Sequence, residues 1–535
     1  LDNLLIFMAG AVTGSPLPTS ARSCVVFKSP LTGSAVDSHA GGAFGPALKR
    51  AGYDGLVIRG RAEKPLYAHI TPEGCSFHDA SSLWGQGILA TEKKLGELYP
   101  NAQVAAIGPA GENQVRFACI STALYRQFGR GGGGAVMGAK NLKAIVVEGD
   151  LPITVAHEDT FRKLNRELAL ALRDHPMRKR RYELGTAMWI RMAQEAGFLP
   201  TRNFQAGRFD EWEGITAEAM RQELSWKSVG CWGCPIRCGK LSRWDGQELE
   251  GPEYETAAYL GSGCGIGQAK AVAYANLLCD DLGLDTISTG VVASFAMEAH
   301  ERGLLGDADG LDLSFGQSPA LFALIEKIAK RQGIGDMLAE GTRIAAERLG
   351  PEAQYFAIQV GGMELSGVNP KGCASMGLSL ATADFASHTR FWSATAEMQG
   401  ALTPKSVPGF VKEGQDEVAT RNSLIVCDFL PFGFQELGPI FSALTGMTVS
   451  PASLQLAGER IENLHRLFNV ENGRTRAHDV LPERFFAEEH EAGLFSGRRM
   501  SRADFNRWLD TYYEIRGWDR DGRPTPKKLA ALGLI

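Results

Sequence analysis

The sequence predicts an α+β multidomain fold, with a β-rich N-terminal domain over residues 1–155 followed by two mainly α-helical domains over 156–358 and 359–535. Three observations carry this reading. The chain has 535 residues, several times the roughly 150 of an ordinary domain. Its texture changes near residue 155, where short β-branched runs give way to apolar residues at helical spacing. A loop-rich stretch over 355–400, carrying Gly361, Gly362, Gly367 and Gly372, then divides the helical sequence.

The strands are expected in order at Leu4 to Met8, in CVVFKSPLTG, in GYDGLVIRG, in AQVAAIGPAGEN and in KNLKAIVVEGD, each closed by Gly, Pro, Asn or Asp. Helical spacing begins with EDTFRKLNRELALALRDH and TAMWIRMAQEAG and continues to about 345, and further helices are expected over 414–428, 451–469 and 501–515. The first residue is Leu1, and a strand starts at once, so a natural chain extending further upstream is expected.

Lys and Arg number 56 against 61 Asp and Glu, a net charge of -5, so no global field points to nucleic acid or an anionic membrane. No apolar run approaches the roughly 18 to 20 residues that span a bilayer. A cytoplasmic protein with neither partner is expected. One basic run, RDHPMRKRRY over 173–182, reads either as a solvated helix end or as a docking patch for an acidic electron carrier.

Glycine, at 63 residues, exceeds the usual share of about 7% and clusters in short runs, as where backbone closely approaches another group. The 10 cysteines are too sparse for a disulfide scaffold, yet CWGCPIRCGK puts Cys231, Cys234 and Cys238 in one tight loop. That spacing suits a [4Fe–4S] cluster, with zinc the competitor. Spacing leaves the fourth ligand open: Cys264 lies nearby and Cys427 far off, while Cys24, Cys75, Cys119, Cys279 and Cys373 read as buried small hydrophobes. GRGGGGAVMG over 129–138, after Arg126, offers a nest of backbone N–H groups and two guanidinium groups for phosphate. It satisfies neither the Walker A pattern nor a clean dinucleotide fingerprint between strand and helix. In CDDLGLDTISTG, Asp280 and Asp285 read as acceptors for the N–H edge of a heterocycle or as solvated acids at a helix end marked by Gly283. LEGPEYET adds Glu250, Glu253 and Glu255, surface acids or proton acceptors beside the cysteine loop. His388 in ASHTRFW reads, on its own, as a structural histidine.

Together these motifs resemble the aldehyde:ferredoxin oxidoreductase family, whose members hold a tungsten bis-pyranopterin beside a [4Fe–4S] cluster. The resemblance covers nearly the whole chain, through FKSPLTG, GGAFGPALKRAGYDGLVIRGRAEKP, IGPAGEN, GRGGGGAVMGAKNLKAI, CWGCPIRCG, EGPEYE, DDLGLDTISTG, GERIENLHRLFN and YYEIRGW. It implies a β-sandwich-like pterin-base domain capped by two helical domains. It assigns cofactor contacts to Arg22, His39, Gly41, Arg126, Gln127, Gly129 and Arg130, then to Asp280, Leu284 and Asp285, with Arg390 and the 422–428 segment (Asn422, Val426, Cys427, Asp428) completing the set. Mg2+ bridging the pterin phosphates is a further candidate. The resemblance makes Cys427 the fourth cluster ligand, with Cys264 the runner-up, and makes Glu255 and His388 the catalytic pair. Glu255 would accept a proton or activate water, and His388 would donate a hydrogen bond to the aldehyde oxygen.

The chain departs from the family pattern at several positions. The ExxH pair that binds an interfacial iron in some members reads Tyr274 and Leu277, so that iron is expected to be absent. DxxGLC reads Asn422-Ser-Leu-Ile425-Val426-Cys427, His39 replaces Asn, Arg390 replaces Lys, and the loop before His388 is one residue short. The implied activity is oxidation of an aldehyde with water to a carboxylic acid at tungsten or molybdenum, with electrons passing through the cluster to ferredoxin or a similar carrier, in a homodimer or beside an electron-transfer subunit. One alternative is the tungsten subunit of a dearomatising acyl-CoA reductase. Another is a non-enzymatic iron–sulfur protein for electron transfer or assembly.

Overall fold

A computed structural model describes residues 2–535. The N-terminal part builds two sheets. In the first, β1 (Leu5–Ala9), β2 (Ser23–Lys28), β3 (Ala35–Ala40) and β4 (Gly55–Ile58) run antiparallel in the order β3-β2-β1-β4. Alternation along these strands turns Leu5, Phe7, Val25, Phe27 and Val36 into the core. The second sheet has β5 (Leu66–Thr71), β6 (Gly74–Asp79), β7 (Gln103–Ala106), β8 (Ile120–Thr122), β9 (Arg126–Phe128) and β10 (Leu142–Val147) in the order β6-β5-β10-β7-β8-β9. Only the β5–β10 pair is parallel. All of β10 is buried, as expected of an interior strand whose two faces are covered. Phe7 packs edge-on against Phe128, with ring centroids 5.6 Å apart, and Phe44 leans on both, which locks the end of β9 beneath the residues that follow it.

The strand-and-turn reading of this part overlooks the helices Phe44–Arg50, Ile88–Leu98 and Gly133–Ala139. The last is the instructive case, because glycine is a poor helix former. Gly134 and Gly138 face the backbones of Cys119 and Gly111 so closely that a Cβ would collide, so close packing holds a helix that propensity disfavours. The glycine run therefore does connect a strand to a helix, contrary to the sequence reading.

Beyond Val147 the chain is mainly helical, but the helical reading of 157–345 misses an antiparallel sheet of β11 (Lys227–Val229), β12 (Gly239–Trp244) and β13 (Gln247–Glu250). The β11–β12 pairing brackets the cysteine loop. Residues 355–400 include a helix, Ala374–Thr382, buried from Ser375 onward; its polar side, Ser375, Ser379 and Thr382, is short-chained, uncharged and itself buried, and so gives little amphipathic signal. The helix expected over 414–428 is Val407–Ser423; Ile425, at φ 54°, turns the chain and leaves Cys427 and Asp428 in a loop. The other two helices are Pro451–Glu471 and Arg502–Arg516. One continuous apolar core runs from the N-terminal sheets to Trp518, and a second cluster, including Leu17, Phe161, Ile236 and Val426, underlies the cysteine loop. Among the described residues, no helix is long and apolar enough to cross a membrane.

Candidate active site

Segments far apart in the chain converge on one cavity of about 430 Å³. Its walls come from the residues after β3, the β8–β9 turn with the glycine run, the cysteine loop, the segment after β13, the junction between helices Ala269–Leu282 and Thr286–Glu301, and the loops at His388 and Cys427.

At one end, Cys231, Cys234 and Cys238 meet Cys427, all four lining the cavity. Gly233 and Arg237, at φ 61° and 50°, bend the loop so that its three thiols turn inward. Cys264 is fully buried elsewhere, its thiol donating to the Gly290 carbonyl at 3.8 Å. Burial pushes the Cys427 thiol up to about 12 and the Cys238 thiol higher still. Four thiols on one cavity wall suit a cationic iron–sulfur centre, which binds them as thiolates. Arg22 pairs with Asp428 at 2.7 Å. Burial disfavours its charge, but Cys427, Asp428, Cys231 and Cys238 together hold it firmly protonated. Gly41 makes room here, because a Cβ would stand 2.5 Å from the Cys231 sulfur.

The middle of the cavity is polar and buried. Arg126 pairs with Glu250, an arrangement that also needs Gly239, since a Cβ there would strike the Glu250 carboxylate. Arg130 pairs with Asp285 at 3.2 Å and donates to the Glu364 and Ala386 carbonyls. Asp285 caps the helix Thr286–Glu301, accepting from the Ile287 N–H and the Ser288 hydroxyl. The Gln127 amide donates to one oxygen of Asp280 and the Asn276 amide to the other, both at 2.8 Å. Burial, then Glu250, pushes the Asp280 carboxyl well above its ordinary range. Asp280 and Asp285 are thus interior groups, and their reading as solvated acids fails. Gly129 and Leu284 complete this wall.

Glu255 and His388 face each other at the remaining end. Glu255 Oε1 lies 2.9 Å from His388 Nδ1, though the two are not aligned as a hydrogen bond. Glu255 Oε2 accepts from the Gly367 N–H at 2.7 Å. The Tyr254 and Tyr259 hydroxyls donate to the Gly367 and Leu365 carbonyls and pin that segment. The His388 N–H donates to the Ser366 hydroxyl at 2.8 Å, and its ring meets Trp392 edge-on. Neither residue keeps the bland reading its surrounding sequence suggested.

Four expected contacts stand back from the cavity. Arg390 is buried between Asp37 and Asp384 and stacks on Phe385. Val426 packs into the second apolar cluster, Asn422 ends the helix Val407–Ser423, and Asp428 reaches the cavity only through Arg22. Sequence reasoning missed Asn276, Thr186 and Trp189, which line the cavity. Asn276 stands one helical turn before Asp280, and that i, i+4 spacing was the available signal. Of the cysteines expected to be buried hydrophobes, Cys24, Cys119, Cys279 and Cys373 are buried, Cys119 beside the cavity, and Cys75 is exposed. Tyr274 is half-exposed, its ring against Phe322.

The residues present fit a large polar, anionic cofactor beside a cluster. Four buried polar atoms of cavity-lining side chains, Thr19 Oγ1, His39 Nδ1, Glu255 Oε1 and His388 Nδ1, have no hydrogen-bond partner in the protein, an arrangement native interiors avoid unless another group supplies the partner. A thiol-lined pocket, arginines inside it and a carboxylate facing an imidazole are groups that an oxidoreductase site can use. Residues 1–149 match the N-terminal domain, and residues 163–534 match domains 2 and 3, of aldehyde ferredoxin oxidoreductase. A tungsten-containing aldehyde ferredoxin oxidoreductase from Pyrococcus furiosus is 38% identical over all of this chain and 90% of its own length. From the same organism, an aliphatic sulfonate oxidoreductase, WOR-like subunit, is 31% identical over all of this chain and 88% of its own length. The active site complex BamBC of benzoyl coenzyme A reductase matches with a TM-score of 0.86 and 26% identity over 99% of this chain and 89% of that one. The chain belongs to the aldehyde ferredoxin oxidoreductase family and is an enzyme of that family.

Proposed function

We propose that the protein oxidises an aldehyde and water to a carboxylic acid, two electrons and two protons, at a tungsten or molybdenum bis-pyranopterin, and passes the electrons through a [4Fe–4S] cluster to ferredoxin. The observation that supports this best is the convergence of four cysteines, three arginines with their acids, and the Glu255–His388 pair on one cavity. When bound, the pterin-held metal supplies two-electron redox chemistry that no side chain offers. Cys231, Cys234, Cys238 and Cys427 would hold the cluster. Arg22, Arg126 and Arg130 would meet the pterin phosphates, and Asp280 and Asp285 the ring N–H groups. Glu255, its Oε1 free of hydrogen bonds, takes the proton of the attacking water. His388 donates to the aldehyde oxygen as negative charge grows there. Tyr254 and Tyr259 keep Glu255 oriented by anchoring residues 365–367.

Electrons would leave past the basic run. Arg178 and Arg181 donate to the carbonyls of Pro235 in the cysteine loop and of Phe429 beyond Cys427, which places this helix against the thiols. Lys179 and Arg180 remain exposed, and in the cysteine loop Trp232 is half-exposed. Changing Lys179 and Arg180 to Glu is expected to raise KM for ferredoxin by about tenfold at low salt, an effect that fades as salt rises. Turnover with a viologen dye should be unchanged. A salt-independent KM identical to wild type would reduce the run to a solvated face.

The benzoyl coenzyme A reductase likeness favours a second reading, a subunit of an acyl-CoA-reducing complex. Copurification of additional iron–sulfur and flavin subunits, without aldehyde oxidation, would select it. The higher identity of the aldehyde-oxidising relative supports the first reading.

A further inference from the structure

We propose that Glu92 and Asp281, neither of which lines the cavity, are paired positioning residues that set Gln127 against Asp280 and so fix the cofactor-facing wall. This rests on the cofactor reading above. The helix Ile88–Leu98 starts at Gly87, which has no side chain to cap it. Asp281 supplies the missing acceptor from another element, its Oδ1 accepting from the Leu89 N–H at 3.0 Å. A Cβ at Gly87 would collide with that carboxylate. One turn along the same helix, Glu92 Oε2 accepts from the Leu124 N–H at 2.8 Å.

Leu124 and its neighbour Ala123 hold left-handed backbone, at φ 66° and 51°, without being glycine. Such a conformation persists only where its surroundings over-determine it. This turn leads directly into Arg126 and Gln127, and Gln127 returns to Asp280, the residue before Asp281. The contacts therefore close a ring: Asp281, the helix start, Glu92, the Leu124 turn, Gln127 and Asp280. Backbone bonds from the Cys119 N–H to the Gly283 carbonyl and from the Asp285 N–H to the Phe117 carbonyl already join the two segments ahead of β8. Those bonds do not reach the turn itself, where the Ser121 hydroxyl donates to the Leu124 carbonyl at 3.2 Å and the Tyr125 hydroxyl to the Glu248 carbonyl at 3.1 Å, while Glu92 takes the Leu124 N–H from the helix side.

The Glu92 carboxyl is buried, and its second oxygen has no partner. Burial pushes it up to about 8, with only the Leu124 N–H pulling it down and no charged group contributing. Tyr125 in the turn is itself pushed up to about 12 by burial, with Glu248, Asp280, Glu92 and Glu250 adding to it; Asp281 stands at the helix start, and β7 brings no titratable group. Because the folded value lies above the ordinary carboxylate value, the unfolded chain releases the proton first. Stability due to this group is complete below about 4.5, declines as pH rises, and levels off above about 8. Near 8 the folded protein itself gains an unpaired buried charge behind the turn.

The test is limited proteolysis of the holoenzyme with product mapping, together with tungsten or molybdenum content, for wild type, Glu92→Ala, Glu92→Gln and Asp281→Ala. Both alanine variants are expected to gain cleavage at residues 123–125 and to lose at least half of the pterin-borne metal, while iron per chain stays at the wild-type value. Wild type should cleave at that turn several-fold faster at pH 9 than at pH 7, and Glu92→Gln, which cannot ionise, should show no such rise. Wild-type cleavage and metal content in both alanine variants, or the same pH rise in Glu92→Gln, would overturn the assignment. Absence of tungsten and molybdenum from wild type would instead count against the cofactor reading, and the cleavage comparison would still decide the role of Glu92.

Discussion

Glu255→Gln is expected to lower kcat for aldehyde-dependent viologen reduction by about 10²–10⁴-fold, the range spanned by loss of a positioned proton acceptor. Metal content and KM should stay near wild type. Glutamine keeps the shape and can still accept from the Gly367 N–H, so residues 365–367 remain in place. What it loses is the basic oxygen that faces His388 at 2.9 Å with no hydrogen bond of its own. An amide at that position cannot take the proton of an attacking water. Turnover within a factor of two of wild type would remove Glu255 from the chemistry.

Cys427→Ser is expected to strip most of the cluster iron and to abolish electron delivery to ferredoxin, whereas Cys264→Ser should leave iron per chain unchanged. The contrast is sharp because both cysteines were candidates by sequence. Cys427 lines the cavity with Cys231, Cys234 and Cys238, while Cys264 is sealed in the core against the Gly290 carbonyl. Iron determination on anaerobically purified variants decides between them, and iron loss in Cys264→Ser alone would reverse the assignment.

Local sequence carries the parts of this site that sit on one segment. Cys231, Cys234 and Cys238 are legible because a cluster corner needs thiolates from one tight loop. The helix end at Gly283 is legible because glycine adopts the left-handed cap without strain, here at φ 81°. Residues brought together by tertiary packing are not legible in this way. Cys427 lies 189 residues from Cys238 and His388 lies 133 from Glu255, and only the family resemblance paired them. The helix Gly133–Ala139 and the buried helix Ala374–Thr382 escaped for a related reason, since packing rather than propensity or amphipathic period holds them. Asn276 and the Glu92 brace lie outside every motif, and their roles come from hydrogen bonds across elements. The degraded 422–427 motif reads differently once folded. Val426 anchors an apolar cluster, and Arg22, paired with Asp428, carries that loop's polar contact into the cavity.

Elemental analysis of anaerobically purified protein tests the central claim most directly, that one cavity holds both a cluster and a pterin-borne metal. The expected result is about four iron atoms and one tungsten or molybdenum atom per chain. Iron near four with neither heavier metal would contradict it, and would leave a cluster protein without the chemistry that Glu255 and His388 are placed to serve.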